Sequence, residues 1–209
     1  MSNRHLPVWS EGWPFIGLFA LAALSFALLD WPWLTVLCLG LTAAAGHLFR
    51  DPDRVPPEDA ESAVAPVDGR VRAVDRATDP ASGEVRLRLS IEPGPLDMRV
   101  LRFPVSGKVE RIFSGRDEDK EALFPPMRHV VEIVGKGNQR VVVAASAAPI
   151  FRKLTSTVEK GDKLKRGDRY GYAAGRVDVY LPDGFEARTP VGEKVRAGET
   201  ELAARAPGQ

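Results

Sequence analysis

Two apolar runs, Trp13–Leu29 and Trp33–Gly46, constrain this chain most. The first is apolar or small throughout apart from Ser25, and the second carries no charge. Asp30-Trp31-Pro32 separates them. Spanning about 30 Å of hydrocarbon takes roughly 20 helical residues, so each run alone is at the short end. Together they predict a transmembrane helical hairpin over residues 1–49, with its tip at Asp30 and Pro32. Proline suits the tip, because a turn needs no amide donor there. Trp9, Trp13, Trp31 and Trp33 fall near the expected ends, where tryptophan anchors at a membrane interface. A single tilted span and a hairpin buried in one leaflet stay open as alternatives. A cleaved signal peptide is disfavoured, since the stretch is too long and lacks a clean small-residue cleavage site. Arg4 precedes the module, and Arg50 and Arg54 follow it. By the positive-inside rule both flanks lie in the cytoplasm, so the expected location is the cytoplasmic membrane with the C-terminal domain facing the cytoplasm.

From Ala63 onward the helical period disappears. Short runs such as Val85-Arg86-Leu87-Arg88-Leu89 and Val141-Val142-Val143 alternate with glycine and proline. That pattern predicts a mainly β domain over 63–209, joined to the hairpin by a proline-stiffened juxtamembrane linker over 50–62. Two internal echoes stand out. Pro66-Val67-Asp68-Gly69-Arg70-Val71 recurs as Pro104-Val105-Ser106-Gly107-Lys108-Val109, and Gly161-Asp162-Lys163-Leu164-Lys165-Arg166-Gly167-Asp168 recurs as Gly192-Glu193-Lys194-Val195-Arg196-Ala197-Gly198-Glu199. The glycines suit turns that need positive φ. Ordinary hairpin chemistry would explain such echoes equally well. As repeated strand-turn units they resemble the barrel-sandwich domains of lipoyl and biotin carriers, but no lysine sits in the context that carriers modify.

Charge and composition exclude several classes. The net charge of +1 gives no global attraction to nucleic acid, and none is expected as a partner. Cys38 is the one cysteine, and His5, His47 and His129 are scattered without ligand spacing, so no metal is expected. Arg50 and Arg54 are candidates for lipid-phosphate contact at the interface. Lys160, Lys163, Lys165 and Arg166 form a basic run diluted by Asp162 and Asp168, which reads as a solvated turn. The run Arg116-Asp117-Glu118-Asp119-Lys120-Glu121 reads as an exposed loop.

Four segments in order resemble the phosphatidylserine decarboxylase family, in its short bacterial and archaeal form. Phe49-Arg50-Asp51-Pro52-Asp53-Arg54 is similar to the family's Phe-Arg-Asp-Pro-x-Arg after its membrane helices. Ala65-Pro66-Val67-Asp68-Gly69 resembles its Pro-x-Asp-Gly box. Pro95-Leu96-Asp97 with Pro104-Val105-Ser106-Gly107 resembles its Pro-Leu-Asp-Val-His-Val-Asn-Arg-x-Pro-Val-Ser-Gly stretch. Arg176-Val177-Asp178-Val179-Tyr180-Leu181-Pro182 matches the segment after its processing serine. The resemblance implies a barrel-sandwich-like domain, and in the family an Asp-His-Ser arrangement that cuts the chain and turns the serine into a pyruvoyl group.

The departures fall on that arrangement. Asp68 matches the aspartate, but Arg99 stands at the histidine position and Gly175 at the serine position. The stretch after Gly171 is about two residues shorter than the family's, and no serine occurs from Thr157 to Gln209. Glycine supplies no nucleophile, and arginine stays protonated and cannot serve as the base. Without the pyruvoyl group the chain offers no electron sink for a decarboxylation. A pyridoxal site on Lys153, Lys160, Lys163 or Lys165 is disfavoured, and no cofactor is expected. What the resemblance leaves is headgroup recognition, with Arg99 and Arg102 as candidate phosphate ligands. The expected function is therefore a membrane-anchored, decarboxylase-like protein that has lost self-processing. Its expected partners are membrane phospholipid and either an active relative or another protein. An active decarboxylase using an unrecognised route, and a membrane-anchored scaffold, are the alternatives.

Overall fold

In a computed structural model of the chain, residues 12–50, 54–59, 61–116, 127–147, 154–173 and 175–205 are described. Trp9, Asp51-Pro52-Asp53, the run from Asp117 to Glu121, Lys153 and Ala174 lie outside them. The chain divides into two compact units, Met1–Asp53 with Leu96–Met98, and Arg54–Pro95 with Arg99–Gln209.

The first unit is a helical hairpin, α1 (Trp13–Leu28) and α2 (Pro32–Leu48). Each helix has a proline in its first turn, where the missing N–H is no loss. Asp30 takes φ 62°, which turns the chain between them. The few hydroxyls are absorbed locally: Ser25 Oγ donates to Leu21 O, Thr35 Oγ1 to Trp31 O and Thr42 Oγ1 to Cys38 O. Phe15 stacks on Phe49 and Phe26 on Trp31, tying both ends of the pair.

The transmembrane expectation is not met by these helices. They hold 16 and 17 residues, about 24 and 26 Å at 1.5 Å per residue. No helix among the described residues is long and apolar enough to cross a membrane.

Among the described residues the second unit holds fourteen strands: β1 (Ala63–Val64), β2 (Gly69–Thr78), β3 (Val85–Glu92), β4 (Val100–Arg102), β5 (Gly107–Arg116), β6 (Met127–Gly135), β7 (Arg140–Ser146), β8 (Leu154–Ser156), β9 (Lys163–Leu164), β10 (Arg169–Ala173), β11 (Val177–Leu181), β12 (Phe185–Ala187), β13 (Lys194–Val195) and β14 (Glu201–Arg205). The mainly β expectation holds. An eight-stranded sheet runs β13-β2-β3-β11-β7-β6-β5-β9, and two three-stranded sheets run β1-β14-β12 and β4-β10-β8. One core draws on all three, with Val71, Ile91, Ile133, Val143 and Val179 from the large sheet meeting Ala63, Leu202, Leu101 and Tyr170 from the small ones. The Phe103 and Tyr170 rings meet edge to face at 5.0 Å inside it.

The sequence echoes are a real structural duplication. β2 and β5 carry a register shift at matching places, Val71/Ala73 and Val109/Arg111. Val71 N–H donates to Glu193 O and Gly192 N–H to Val71 O; likewise Val109 N–H donates to Asp162 O and Gly161 N–H to Val109 O. β13 closes onto β2 as β9 closes onto β5. The order of the large sheet therefore reads the same from both edges, with a pseudo-two-fold between β11 and β7. The glycines of the echoes are required by geometry. A Cβ on Gly69 would lie 2.6 Å from Glu92 O, and one on Gly107 would lie 2.6 Å from Val134 O. Gly69→Ala and Gly107→Ala are each expected to lower unfolding stability by about 1–3 kcal/mol through forced backbone shifts. Urea titrations followed by circular dichroism check this. An unchanged midpoint in either variant would deny the close approach at that site.

Candidate functional site

β2 and β11 are both antiparallel to β3, with Val71 and Val177 facing Ile91 from its two sides. They start at the same end of the sheet. Asp68, just before β2, and Gly175, just before β11, are thus placed at that end. Arg99 joins them from the small sheet, because Ala173 N–H donates to Arg99 O at 2.9 Å. The topology gathers all three family-matched positions in one region.

Each has a specific environment. Asp68 is buried, and both of its carboxylate oxygens are engaged. Oδ2 accepts from Arg54 Nη2 at 2.9 Å, and Oδ1 accepts from Ala197 N–H at 2.7 Å. Arg54 Nη1 also donates to Glu199 Oε2 at 3.1 Å. The side chains of Arg54 and Asp68 are only 8% and 9% exposed. Arg54 is therefore not at a lipid surface, as the linker reading expected, but in an internal ion pair. The reason lies in the next segment as well: Arg166 donates to the carbonyls of Pro57, Asp59 and Ser62 and holds these three residues against the domain. Arg50 stays exposed at the end of the hairpin unit, with Nη1 3.4 Å from His47 Nδ1.

Arg99 and Arg102, the candidate phosphate ligands, lie in different surroundings. Arg102 is 5% exposed and donates through Nη1 to Gly167 O at 3.0 Å. Arg99 is half-buried, with Nη2 3.5 Å from Gly94 O. The basic run at 160–166 is split, since Arg166 turns inward while the lysines stay on the exposed turn.

Gly175 is the tightest point. Its N–H donates to Ser146 O at 3.0 Å, and Ser146 N–H donates to Arg176 O at 2.8 Å. A Cβ placed on Gly175 would lie 2.5 Å from Ser146 O and 3.0 Å from the Ser146 and Ala147 carbonyl carbons. The residue thus lacks a nucleophile and also lacks room for any side chain. A pyruvoyl precursor does not fit this position. Two histidines lie among the described residues. His47 lies on α2, and His129 on β6 faces Ser114 Oγ at 2.9 Å, where burial pushes its pKa down. Beside Gly175, Arg128 Nη2 donates to Asp178 Oδ2 at 2.7 Å and to Tyr180 Oη at 3.0 Å.

Sequence reasoning missed the Arg54–Asp68–Glu199 group and the Ser146 carbonyl. Glu199 and Ser146 are far from their partners along the chain, and nothing in the local pattern announces either contact. The second echo is the one available signal, because it returns the 192–199 loop to Asp68.

The comparisons agree with the motifs. The phosphatidylserine decarboxylase family model matches residues 41–203. A phosphatidylserine decarboxylase proenzyme of Oleidesulfovibrio alaskensis is 41% identical, covering 98% of this chain and 97% of that protein. One of Nitratidesulfovibrio vulgaris is 39% identical over 99% of each, and one of Burkholderia mallei is 34% identical over 97% of each. No solved structure matches. The chain belongs to the phosphatidylserine decarboxylase family, a family of phospholipid metabolism.

Proposed function

We propose that this chain is a membrane-attached, decarboxylase-like protein that is neither self-processed nor catalytic, and that keeps the family's barrel-sandwich-like domain for binding. Gly175 carries the reading. Self-processing needs a side-chain hydroxyl beside the scissile bond, and here that position has neither the oxygen nor the space. Arg99 supports it independently, as a permanently charged group where the family has its base. Asp68 acts in this reading as a structural anion. Its Oδ1 holds Ala197 N–H as Ser106 Oγ, at the echoed position, holds Arg166 N–H at 2.9 Å. The test is the intact mass of the purified protein. One species at 22.8 kDa is expected, and two fragments divided near Gly175 would reject the proposal.

Membrane attachment is the second part of the reading, supported by the apolar exposure of the hairpin. Trp33 is 86% and Leu28 81% exposed, and Leu18, Leu21, Leu24, Val36 and Leu37 stand out with them. Helices apolar all round are not stable against water. A hairpin inserted into one leaflet of the cytoplasmic membrane covers this surface without crossing it, with the β unit on the cytoplasmic side. Membrane phospholipid is then the first partner, and Arg50 the basic group placed to meet its phosphates. The full chain is expected to stay with membranes through high-salt and carbonate washes, while a chain starting at Arg54 is expected to be released. Recovery of the full chain in the soluble fraction would remove the membrane from the account.

A further inference from the structure

The duplication of the β unit assigns a second site. Val177 faces Ile91, whose counterpart is Ile133, and Ile133 faces Val141. Val141 is thus the counterpart of Val177, and Gln139 the counterpart of Gly175. By the first echo, Ser106 is the counterpart of Asp68 and Glu61 that of Arg99. Gln139, Ser106 and Glu61 together line a cavity of about 460 Å³, with Lys136, Arg205, Val105, Val141 and Phe185. That volume is within the usual range of ligand pockets. The family-matched position is closed at Gly175, and its pseudo-symmetric counterpart is open.

The lining sets the chemistry. With the Gln139 amide oriented so that its oxygen faces Arg205, it accepts from all three guanidinium nitrogens at 2.9–3.3 Å. Arg205 is held in place by a neutral group. Among the described residues no carboxylate lies within ion-pairing distance of Arg205 or Lys136. Glu61 is the one acid in the lining, so the cavity carries a net positive charge. The Lys136–Asn138 turn between β6 and β7 has φ 68° at Gly137, which opens the hairpin tip, and a Cβ on Gly135 would already press the Ser106 carbonyl at 3.3 Å. Val105, Val141 and Phe185 supply the apolar part of the lining.

We infer that this cavity binds a small organic phosphate, its anion on Arg205 and Lys136 and its carbon body on Phe185, Val105 and Val141. A fork of guanidinium donors held by an amide suits phosphate oxygens. The apolar part of the lining predicts that an alkyl phosphate binds more tightly than the bare ion.

Calorimetric titration of the full chain in neutral lipid discs tests this with butyl phosphate, inorganic phosphate and butylamine. Butyl phosphate is expected to saturate, inorganic phosphate to bind more weakly and butylamine not to bind. Arg205→Gln and Lys136→Gln should each weaken butyl phosphate by about tenfold. Lys136 is at an exposed hairpin tip, so its variant is informative even if the Arg205 variant does not fold. Discs containing anionic phospholipid separate the two sources of the ligand. Competition there identifies a lipid headgroup, and undiminished binding identifies a free organic phosphate. No saturation by ~10 mM, or unchanged affinity in Lys136→Gln, overturns the assignment. Neither result bears on self-processing, which is read by mass.

Discussion

Arg54→Met is expected to destabilise the β unit by about 3–5 kcal/mol, because it leaves the Asp68 carboxylate buried with only the Ala197 N–H as a partner. Asp68→Asn should be costly for the converse reason, since the Arg54 charge would lose its buried anionic partner and keep the more exposed Glu199. The double change Arg54→Met with Asp68→Asn should recover part of the loss, as an internal pair replaced on both sides leaves no isolated charge. Urea unfolding of the full chain in detergent, followed by far-ultraviolet circular dichroism, gives the three values. Additive losses in the double variant would mean that the two groups act separately. They would return Asp68 to the role its family motif suggests and remove the structural reading. All four tryptophans precede the β unit in the chain, so tryptophan fluorescence would report the wrong unit.

The legible part of this fold is local. Glycine positions in the echoes, the valine-rich runs and the two apolar stretches all act through neighbours a few residues away, and each appears in the structure as the matching turn, strand or helix. Helix length was less legible. The apolar runs extend to Leu29 and Gly46, but prolines set the starts and Asp30 at φ 62° ends the first helix, so neither reaches the length of a span. Charge was the least legible. Arg54 and Arg50 look alike in composition, yet one is internal and the other exposed. Only the return of the 192–199 loop distinguishes them. The same holds for the candidate site. The missing serine was visible at once at Gly175, whereas the obstruction by Ser146 needed the pairing of β11 with β7.

That obstruction decides what a repair of the family motif would do. Gly175→Ser supplies the hydroxyl but places Cβ 2.5 Å from the Ser146 carbonyl oxygen, a main-chain atom that cannot swing away. The strand ends must separate, and the Gly175 N–H bond to that same oxygen is lost or lengthened. The expected cost is about 1–3 kcal/mol, with Tm lower by roughly 3–10 °C. No activity should appear in return, because Arg99 still occupies the base position and cannot accept the proton. A chain rebuilt with the longer Phe-Gly-Ser loop and Arg99→His removes both obstacles and is the variant in which cleavage is expected. Intact mass and release of labelled carbon dioxide from phosphatidylserine, in a host without its own decarboxylase, compare the native chain, Gly175→Ser and the rebuilt loop. A single uncut species for the first two is the expected result. Cleavage or turnover by Gly175→Ser alone would show that the strand ends yield easily and that Arg99 is no barrier. Turnover by the native chain would establish an electron sink of its own and restore the enzyme reading.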